Sequence, residues 1–471
     1  MKPEFLVFFL AYVVLVLWVG LAARRRMKGL EDFFLASRSL PGIFVALSLT
    51  AGWFGATSIL VSTDEAMRSG VNAAWLVGLP AVATVLILLA LVKPLRRLTI
   101  LTLPDLAELR YGRGVRHLVS VLLVWYMALL AASQMVALGN FLRAFLGWPY
   151  FSCITLGTAV VLIYSLAGGL RSVVATDIIQ CALLAAGMIA VAVFLGAHNS
   201  PTASVRAATR AGVSGYLDPF RNFGENGLIF LSFVLAWTIS PIALQRIQAA
   251  RSDGAARRGL SVTAVSLTGL YALVVLVGIL SFPLYGGRVL SAPLISTLIS
   301  ERLGPILGGL LFAAVLAAVL STLDTALNAG ALALARDVWG QIRPPRGSEH
   351  GARRGRISTV VMTVLALAVA SRFQSILKTI GLASEIMAEG FFIPGMAMIL
   401  SPRRRPLAGW LGFGLGGGFA VLSFLSASGL VSLPLPVWPR SVPYGLALGA
   451  AGFAAGALIE RKKRVTKPGG I

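Results

Sequence analysis

The sequence predicts an all-α integral membrane protein with about 13 transmembrane helices. Its 471 residues are 57% apolar and only 13% charged, whereas a soluble domain carries about 25% charged residues. Mean hydropathy is +0.85, and apolar stretches of roughly 20 residues, long enough to cross a bilayer, recur along the chain. We therefore expect a lipid bilayer to surround most of the surface.

The predicted spans are numbered in chain order. They lie at residues 4–23, 43–62, 73–92, 117–143, 150–167, 173–196, 227–247, 259–283, 305–335, 357–373, 378–400, 407–427 and 442–459. With the N-terminus outside, the loops that become cytoplasmic carry about three quarters of the Lys and Arg residues, as the positive-inside rule requires. Those segments hold Arg24–Arg26, Lys93–Arg97, Arg171, Arg246–Arg258, Arg336–Arg356, Arg403–Arg405 and Arg461–Lys467.

The net charge of +23 is therefore attributed to membrane topology, and nucleic acid is not expected as a partner. We predict a multi-pass protein of the cell (inner) membrane with a cytoplasmic C-terminus. Residues 4–23 are read as a helix rather than a signal peptide, because the basic cluster ARRRMKG follows the apolar run. Cys153 and Cys181 fall in spans, and the three histidines lack a metal-ligand spacing.

Two predicted spans are interrupted near their middles. Span 2 reads LSLTAGWFGATSIL, with Gly52 and Gly55, and span 7 reads LAWTISPIALQR, with Ser240 and Pro241. The two spans are five helices apart, so an inverted pair of five-helix units would place the breaks in matching positions. A broken helix leaves carbonyls that can coordinate a cation and a helix N-terminus that can face an anionic group.

Span 9 carries a polar stripe in the segment VLAAVLSTLDTALNAG. Ser321, Asp324, Thr325 and Asn328 are three or four residues apart and share one helical face, and Thr322 adjoins it. Oxygen-only sites suit a hard cation, although a hydroxyl can also bond to the carbonyl one turn earlier. An aspartate at the bilayer centre costs about 2.5–3.5 kcal/mol, so Asp324 is expected to face a partner, a cavity or an ion path.

Three further acids lie within predicted spans. Asp177 stands near the start of span 6, where it could instead cap the helix N-terminus. Glu385 and Glu389 are four residues apart in span 11 and share a face, and they could instead lie at an interface beside Lys378.

Several segments of the sequence resemble the sodium:solute symporter family. YSLAGGLRSVVATDIIQ at 164–180 is similar to the family signature, and AAVLSTLDTAL at 317–327 is similar to its small-residue helix with paired hydroxyls. Supporting matches are LEDFFLASRSLPG at 30–42, TLPDLAELRYG at 102–112 and ALQRIQAARSDGAARRG at 243–259. The resemblance covers residues 1 to about 400.

The resemblance implies a core of two inverted five-helix repeats, spans 2–6 and 7–11, with one helix before it and two after. It divides the chain into 1–40, an N-terminal helix and loop; 41–200, the first repeat; 201–225, an extracellular loop; 226–400, the second repeat; and 401–471, two helices and a basic tail. It also implies transport of a small organic solute coupled to sodium.

The family's sodium ligands carry over to this chain residue by residue. The hydroxyls are those of Ser321 and Thr322, and one carbonyl is that of Ala318. The carbonyls of the first broken helix are assigned to Gly52 and Gly55, with Ala51 as an alternative.

Some family members hold a second sodium, and here its ligands would be Asp177, Asp324 and Thr325. Asp324 replaces a hydroxyl residue of the family pattern. Two adjacent carboxylates do not both stay ionised cheaply, so the pair predicts either a second cation site or a proton site.

The solute is expected beside the two breaks. Candidate contacts are Trp53, Phe54, Thr57, Gln134, Trp237 and Ser240, whose aromatic members could instead pack in the core or face lipid. Glu385 and Glu389 are candidates for contact with a cationic solute.

The predicted function is therefore sodium-coupled symport, with sodium as the bound ion. A proton-coupled symporter of the same fold and a membrane sensor remain alternatives, and a channel is disfavoured by the paired breaks. No nucleophile–base set or phosphate loop predicts an enzyme. The sequence identifies neither the solute nor an oligomeric state.

Overall fold

The computed structural model describes residues 3–23, 30–98, 102–286, 288–342 and 348–465, and the regular elements within them are all helical. The α-helices are α1 Pro3–Ala22, α2 Leu30–Leu35, α3 Gly42–Trp53, α4 Ser62–Ser69, α5 Gly78–Arg97, α6 Leu103–Tyr111, α7 Arg113–Leu146, α8 Tyr150–His198, α9 Pro201–Arg210, α10 Phe223–Thr238, α11 Pro241–Ala249, α12 Asp253–Tyr285, α13 Leu294–Glu301, α14 Pro305–Leu332, α15 Trp339–Ile342, α16 Ser348–Ala370, α17 Ile376–Glu385, α18 Phe392–Leu400, α19 Pro406–Ala427 and α20 Val442–Val465. Short π-helical segments lie at Thr57–Val61, Ala333–Val338 and Ile386–Phe391, and 3-10 turns at Ala36–Arg38 and Gly70–Trp75.

The described residues contain 10 helical stretches long and apolar enough to cross a membrane, or 11 if the bent pair α10 and α11 counts as one span. The predicted fold class is confirmed, but the count of about 13 is not. Predicted spans 2 and 3 are joined in one stretch, Thr57–Arg97, after the break in span 2. Arg24–Arg26 and the tail beyond Val465 lie outside the described residues. The repeat boundaries stay a prediction.

The long helix α8 contains a sharp break that separates predicted spans 5 and 6. Gly169 has φ +54° and ψ −145°, a conformation that L side chains rarely adopt. A Cβ at this position would also lie 2.5 Å from the Phe33 carbonyl oxygen. Glycine therefore allows the chain to change direction where α2 packs against α8.

Side chains cap several helices where the chain re-enters a span. Thr102 and Asp105 form a reciprocal capping box at the start of α6, which satisfies donors that the first turn leaves free. Ser200, Ser252 and Ser375 accept backbone N–H bonds at the starts of α9, α12 and α17.

Helix α14 lies at the centre of the bundle. Every residue from Ala314 to Leu332 is buried, and α14 packs against α3, α7, α8 and α16. By contrast, α1 exposes Val7, Val14 and Trp18, as a helix in contact with lipid would. The polar stripe of span 9 therefore faces protein on all sides rather than lipid.

An ion cluster joins α6, α7 and the end of span 9. Arg116 Nη2 lies 3.0 Å from both Asp105 Oδ1 and Asp337 Oδ1, and Asp337 is fully buried. The Arg116 guanidinium also donates to Glu108, which lowers the pKa of that carboxyl group. Arg113, one turn earlier, contacts Glu108 from the surface with its side chain 83% exposed.

We expect Arg116→Ala to lower the free energy of unfolding by about 3–5 kcal/mol, because it leaves Asp337 buried without its cationic partner. Thermal or denaturant unfolding in detergent would measure this. Arg113→Ala is the matched control and should change stability by about 0.5 kcal/mol or less. Equal effects of the two substitutions would contradict a structural role for the buried cluster.

Candidate functional site

Two helices break close to each other, with Trp53 and Trp237 6.2 Å apart between ring centroids, and the break of α3 contacts the polar stripe of α14. Helix α3 ends at Trp53, and the chain passes through Phe54 (φ −89°, ψ 71°) before helical structure resumes. The freed N–H of Ala56 donates to Gln134 Oε1 on α7 at 2.9 Å. The second break lies between α10 and α11, which are bent by 40°, and Pro241 starts α11.

Two hydroxyls of α14 meet carbonyls at the end of α3. Ser321 Oγ lies within donating distance of the Ala51 carbonyl (2.9 Å) and the Ala318 carbonyl (3.1 Å), which share its one hydrogen, and Thr322 Oγ1 donates to Ala318 at 3.1 Å. The alternative, a bond to the carbonyl one turn earlier, is therefore present, but Ser321 also contacts the broken helix at Ala51. Of the carbonyls proposed for that helix, the structure brings Ala51 to Ser321.

The predicted glycines lie along the same contact between α3 and α14. A Cβ on Gly55 would lie 2.7 Å from Thr322 Oγ1, and one on Gly52 would lie 3.1 Å from Thr325 Oγ1. Because these residues lack side chains, the break approaches α14 closely. The C-terminal end of α3 is the negative end of its dipole, so its free carbonyls and two neutral hydroxyls make an oxygen-only pocket suited to a hard cation.

A small cavity of about 40 Å³ lies beside these oxygens. It is lined by Gly52, Trp53, Gly55, Thr57, Ser58, Val77, Tyr126, Leu130, Gln134, Trp237, Ser240, Ile242, Thr322 and Ile380. None of these lining residues is charged. The Trp237 ring stacks on Phe233 at 4.7 Å between centroids and lies 6.2 Å from Trp53. The aromatic rings form an apolar wall and the hydroxyls and amide a polar one.

Of the eight predicted solute contacts, the structure places five around this cavity: Trp53, Thr57, Gln134, Trp237 and Ser240. Phe54 is different, because it is fully buried and packs on Tyr271 with 5.1 Å between ring centroids. Thr57 Oγ1 has no hydrogen-bond partner among the described residues, so it can bind a ligand group. Ser58 and Tyr126 are further lining residues that sequence reasoning missed.

A buried arginine that sequence analysis placed in a basic loop lies beside the predicted second cation site. Arg246 is fully buried on α11. Its Nε donates to Ser48 Oγ on α3 (3.0 Å), its Nη2 donates to Thr325 Oγ1 on α14 (2.9 Å), and Nη2 lies 3.6 Å from Asp177 Oδ2 on α8. Its place within predicted span 7, 227–247, agrees with the structure, whereas its assignment to the cytoplasmic segment Arg246–Arg258 is wrong. The predicted second cation site therefore already holds a fixed positive charge.

The two aspartates are buried beside this guanidinium and have different partners. Asp177 lies inside α8, eight residues beyond the break at Gly169, so it does not cap a helix N-terminus. Its Oδ2 accepts from Ser48 Oγ at 2.5 Å, and Asp324 Oδ2 accepts from Tyr164 OH at 2.5 Å. The other oxygen of each carboxylate has no partner within the described chain.

Neighbouring amides complete the polar cluster. Gln245 Nε2 donates to Asn328 Oδ1 at 2.9 Å, and Gln245 Oε1 accepts from Arg246 Nη1 at 2.9 Å. One signal could have revealed Arg246 in advance. It follows Pro241 by five residues, or about 8 Å of helix, so it lies too near the mid-span break to reach the aqueous loop.

Glu385 and Glu389 do not line the central cavity. Both are fully buried where Ile386–Phe391 packs against α19 and α20. Glu385 Oε1 accepts from Ser423 and Ser441, and a Cβ on Gly445 of α20 would lie 2.2 Å from Glu389 Oε2. The geometry therefore does not support contact between these glutamates and a solute in the central cavity.

Comparison with known proteins gives consistent matches. Residues 33–401 match the sodium:solute symporter family. The sodium/glucose cotransporter of Vibrio parahaemolyticus is 27% identical over 308 residues, which cover 61% of this chain and 56% of that protein. The sodium/iodide cotransporter of Homo sapiens is 26% identical over 293 residues, which cover 59% and 45%. The chain thus spans about half the length of the curated relatives it matches.

One solved structure matches almost the whole chain. A Na+-coupled sialic acid symporter, solved in a substrate-bound outward-open state, aligns over 97% of this chain and 98% of its own with a TM-score of 0.77. Sequence identity is 18%, so this likeness establishes the fold.

We expect Gly55→Ala to destabilise the protein by about 1–3 kcal/mol, because the added Cβ would displace Thr322 or Gln134. Thermal unfolding in detergent would measure the loss. Gly269→Ala on α12 is the control, since a Cβ there meets nothing within 4 Å. If both variants unfolded at the same temperature, the close approach of the α3 break to α14 would be refuted.

Proposed function

The chain belongs to the sodium:solute symporter family, a family of transporters rather than enzymes, and on that premise we propose that it is a sodium-coupled symporter of a small organic solute. The observation that carries the proposal is the convergence of the Ser321 and Thr322 hydroxyls with the Ala51 and Ala318 carbonyls. This convergence lies at the edge of an uncharged cavity, since Thr322 belongs to both.

Sodium would bind where those four oxygens meet. The hydroxyl hydrogens now point at the carbonyls, and their rotation would leave two hydroxyl and two carbonyl oxygens free for one ion. Such a site replaces water with neutral oxygens, which suits a hard monovalent cation. The multi-pass fold supports a membrane location, for which we propose a cell membrane with the C-terminus in the cytoplasm.

The cavity favours a small solute with one apolar face and several hydrogen-bonding groups. In this arrangement its volume of about 40 Å³ holds only a few water molecules, so a solute would need the two breaks to move apart. Trp53 and Trp237 can stack on a ring or cover an alkyl face, while Thr57 and Gln134 offer hydrogen bonds. With no charged lining residue, a solute carrying net charge would have no ion pair in the cavity. We therefore favour a neutral or zwitterionic solute.

Coupling would arise because sodium and the cavity share the α3 break. A sodium between α3 and α14 would fix the break in one arrangement, and the same arrangement positions Trp53 and Gly55 at the cavity. Each ligand would then raise the affinity for the other by the same factor. Inward movement of one charge supplies about 2.3 kcal/mol per 100 mV of membrane potential.

We expect sodium to raise the unfolding temperature of the purified protein relative to potassium at equal ionic strength. A ligand at 100 times its Kd adds about 2.7 kcal/mol to the free energy of unfolding. Ser321→Ala/Thr322→Ala should lose the sodium-specific shift because it removes two of the four oxygens.

Thr359→Ala/Thr363→Ala is the matched control for that experiment. Both hydroxyls are buried on α16 and donate to carbonyls of their own helix. This variant should keep the full sodium shift. A sodium shift that survives in Ser321→Ala/Thr322→Ala would place the ion elsewhere, and no sodium shift in the wild type would favour the proton-coupled alternative.

Uptake into proteoliposomes under a sodium gradient should identify the solute and test the cavity. Labelled sugars, amino acids, monocarboxylates and pantothenate form the first panel. For the transported compound, we expect Trp237→Ala to raise KM at least about tenfold, the scale of a lost aromatic anchor. Glu389→Gln should leave KM unchanged, because Glu389 faces α20. If Glu389→Gln raised KM and Trp237→Ala left it unchanged, the solute would bind against α20 instead.

A further inference from the structure

The pocket around Arg246 has the composition of a cation site. Oxygen atoms of Ser48, Asp177, Asp324 and Thr325 come to it from α3, α8 and α14. All four residues are buried, and two carboxylate oxygens, Asp177 Oδ1 and Asp324 Oδ1, have no hydrogen-bond partner within the described chain. Two carboxylates that are withdrawn from water need a compensating positive charge.

The guanidinium supplies one positive charge from within the chain, and its ion-pair partner is Asp177. Arg246 places Nε on Ser48 and Nη2 on Thr325, with Nη2 at 3.6 Å from Asp177. Arginine retains its proton under essentially all conditions in proteins. The positive charge in this pocket is therefore permanent and cannot dissociate during a transport cycle.

We propose that Arg246 is a resident cation that occupies the position of a second sodium, so that only the Ser321–Thr322 site exchanges sodium with solvent. This inference rests on the proposed function, since it sets the number of ions that accompany the solute. It replaces the second cation or proton site expected from the two aspartates with a tethered positive charge.

The same hydrogen bonds explain how the Arg246 side chain can hold the helices together as a bound ion would. A bound sodium would pull α3, α8 and α14 together and leave when the site opened. Arg246 draws the same three helices together from α11. It therefore supplies the cohesion without adding a transported charge, and a second sodium beside it would meet a like charge.

The experiment is equilibrium binding of ²²Na⁺ to the purified full-length protein, with the sodium Hill coefficient of uptake as a second readout. The wild type should bind about one sodium per chain and give a Hill coefficient of about one. Arg246→Ala should bind about two, because the vacated pocket keeps both aspartates. In sodium-free buffer Arg246→Ala should unfold at a lower temperature than the wild type, and added sodium should raise that temperature by more than it does in the wild type.

A second variant keeps the test decisive if Arg246→Ala does not fold. Arg246→Gln/Asp324→Asn removes one charge of each sign, so the net charge of the pocket is unchanged while Asp177 stays available. It should also bind about two sodium ions. Arg171→Ala is the matched control, because Arg171 pairs with Asp32 outside the pocket and its loss should leave one bound sodium.

Two results would overturn the inference: two bound sodium ions in the wild type, or one in a folded Arg246 variant. Failure of the proposed function has a different signature, since no sodium would then bind to the wild type at all. Adding Ser321→Ala/Thr322→Ala to the Arg246→Ala variant separates the sites, because one sodium should remain, held by Asp177 and Asp324.

Discussion

The arrangement of the central helices depends on one buried guanidinium. Arg246 is fully buried, and an ion withdrawn from water without partners costs several kcal/mol. Its partners lie on three other helices: Ser48 on α3, Asp177 on α8 and Thr325 on α14. Displacing α8 would leave the buried charge without its counter-ion, and displacing α3 or α14 would leave guanidinium hydrogens without an acceptor. The two broken helices, α3 and α11, are therefore held in a fixed relation to each other and to α14, and the cavity at their breaks follows from that relation.

Helix α14 presents two kinds of polar environment one turn apart. Ser321 and Thr322 offer neutral oxygens next to free carbonyls, whereas Asp324 and Thr325 face a permanent positive charge. The guanidinium already lies against Thr325 and Asp177, so a mobile cation would have to share that half of the face with a fixed positive charge, and we favour the neutral oxygens as its site. One helical face is thus divided into two halves with separate roles. The charged half holds the helices together, and the neutral half binds and releases sodium.

Sequence reasoning succeeded where the signal is local. Glycines and a Ser-Pro pair mark the breaks, and three- and four-residue spacing places Ser321 and Asp324 on one face. It failed for Arg246, because the positive-inside rule counts basic residues without their depth, and only the start of α11 at Pro241 shows how close this residue lies to the break. The four-residue spacing also predicted that Glu385 and Glu389 share a helical face. Which helices cover that face depends on tertiary packing, which the spacing does not determine. The carbonyl that meets Ser321 depends on the backbone angles at Phe54, which residue types alone do not determine.

The far end of α11 is closed by the chain that leads into α3. Leu40 N donates to the Ala249 carbonyl at 3.0 Å, Arg251 N donates to the Leu40 carbonyl at 2.9 Å, and Arg96 Nη1 holds the Ala250 carbonyl at 2.9 Å. Arg246 lies on α11 between this closure and the cavity. If a path from the cavity to this end opened by separating α11 from α3, the guanidinium would leave Ser48 and water would enter. Hydration of the freed charge would offset the lost bonds, so a residue that stabilises the closed arrangement need not prevent it from opening.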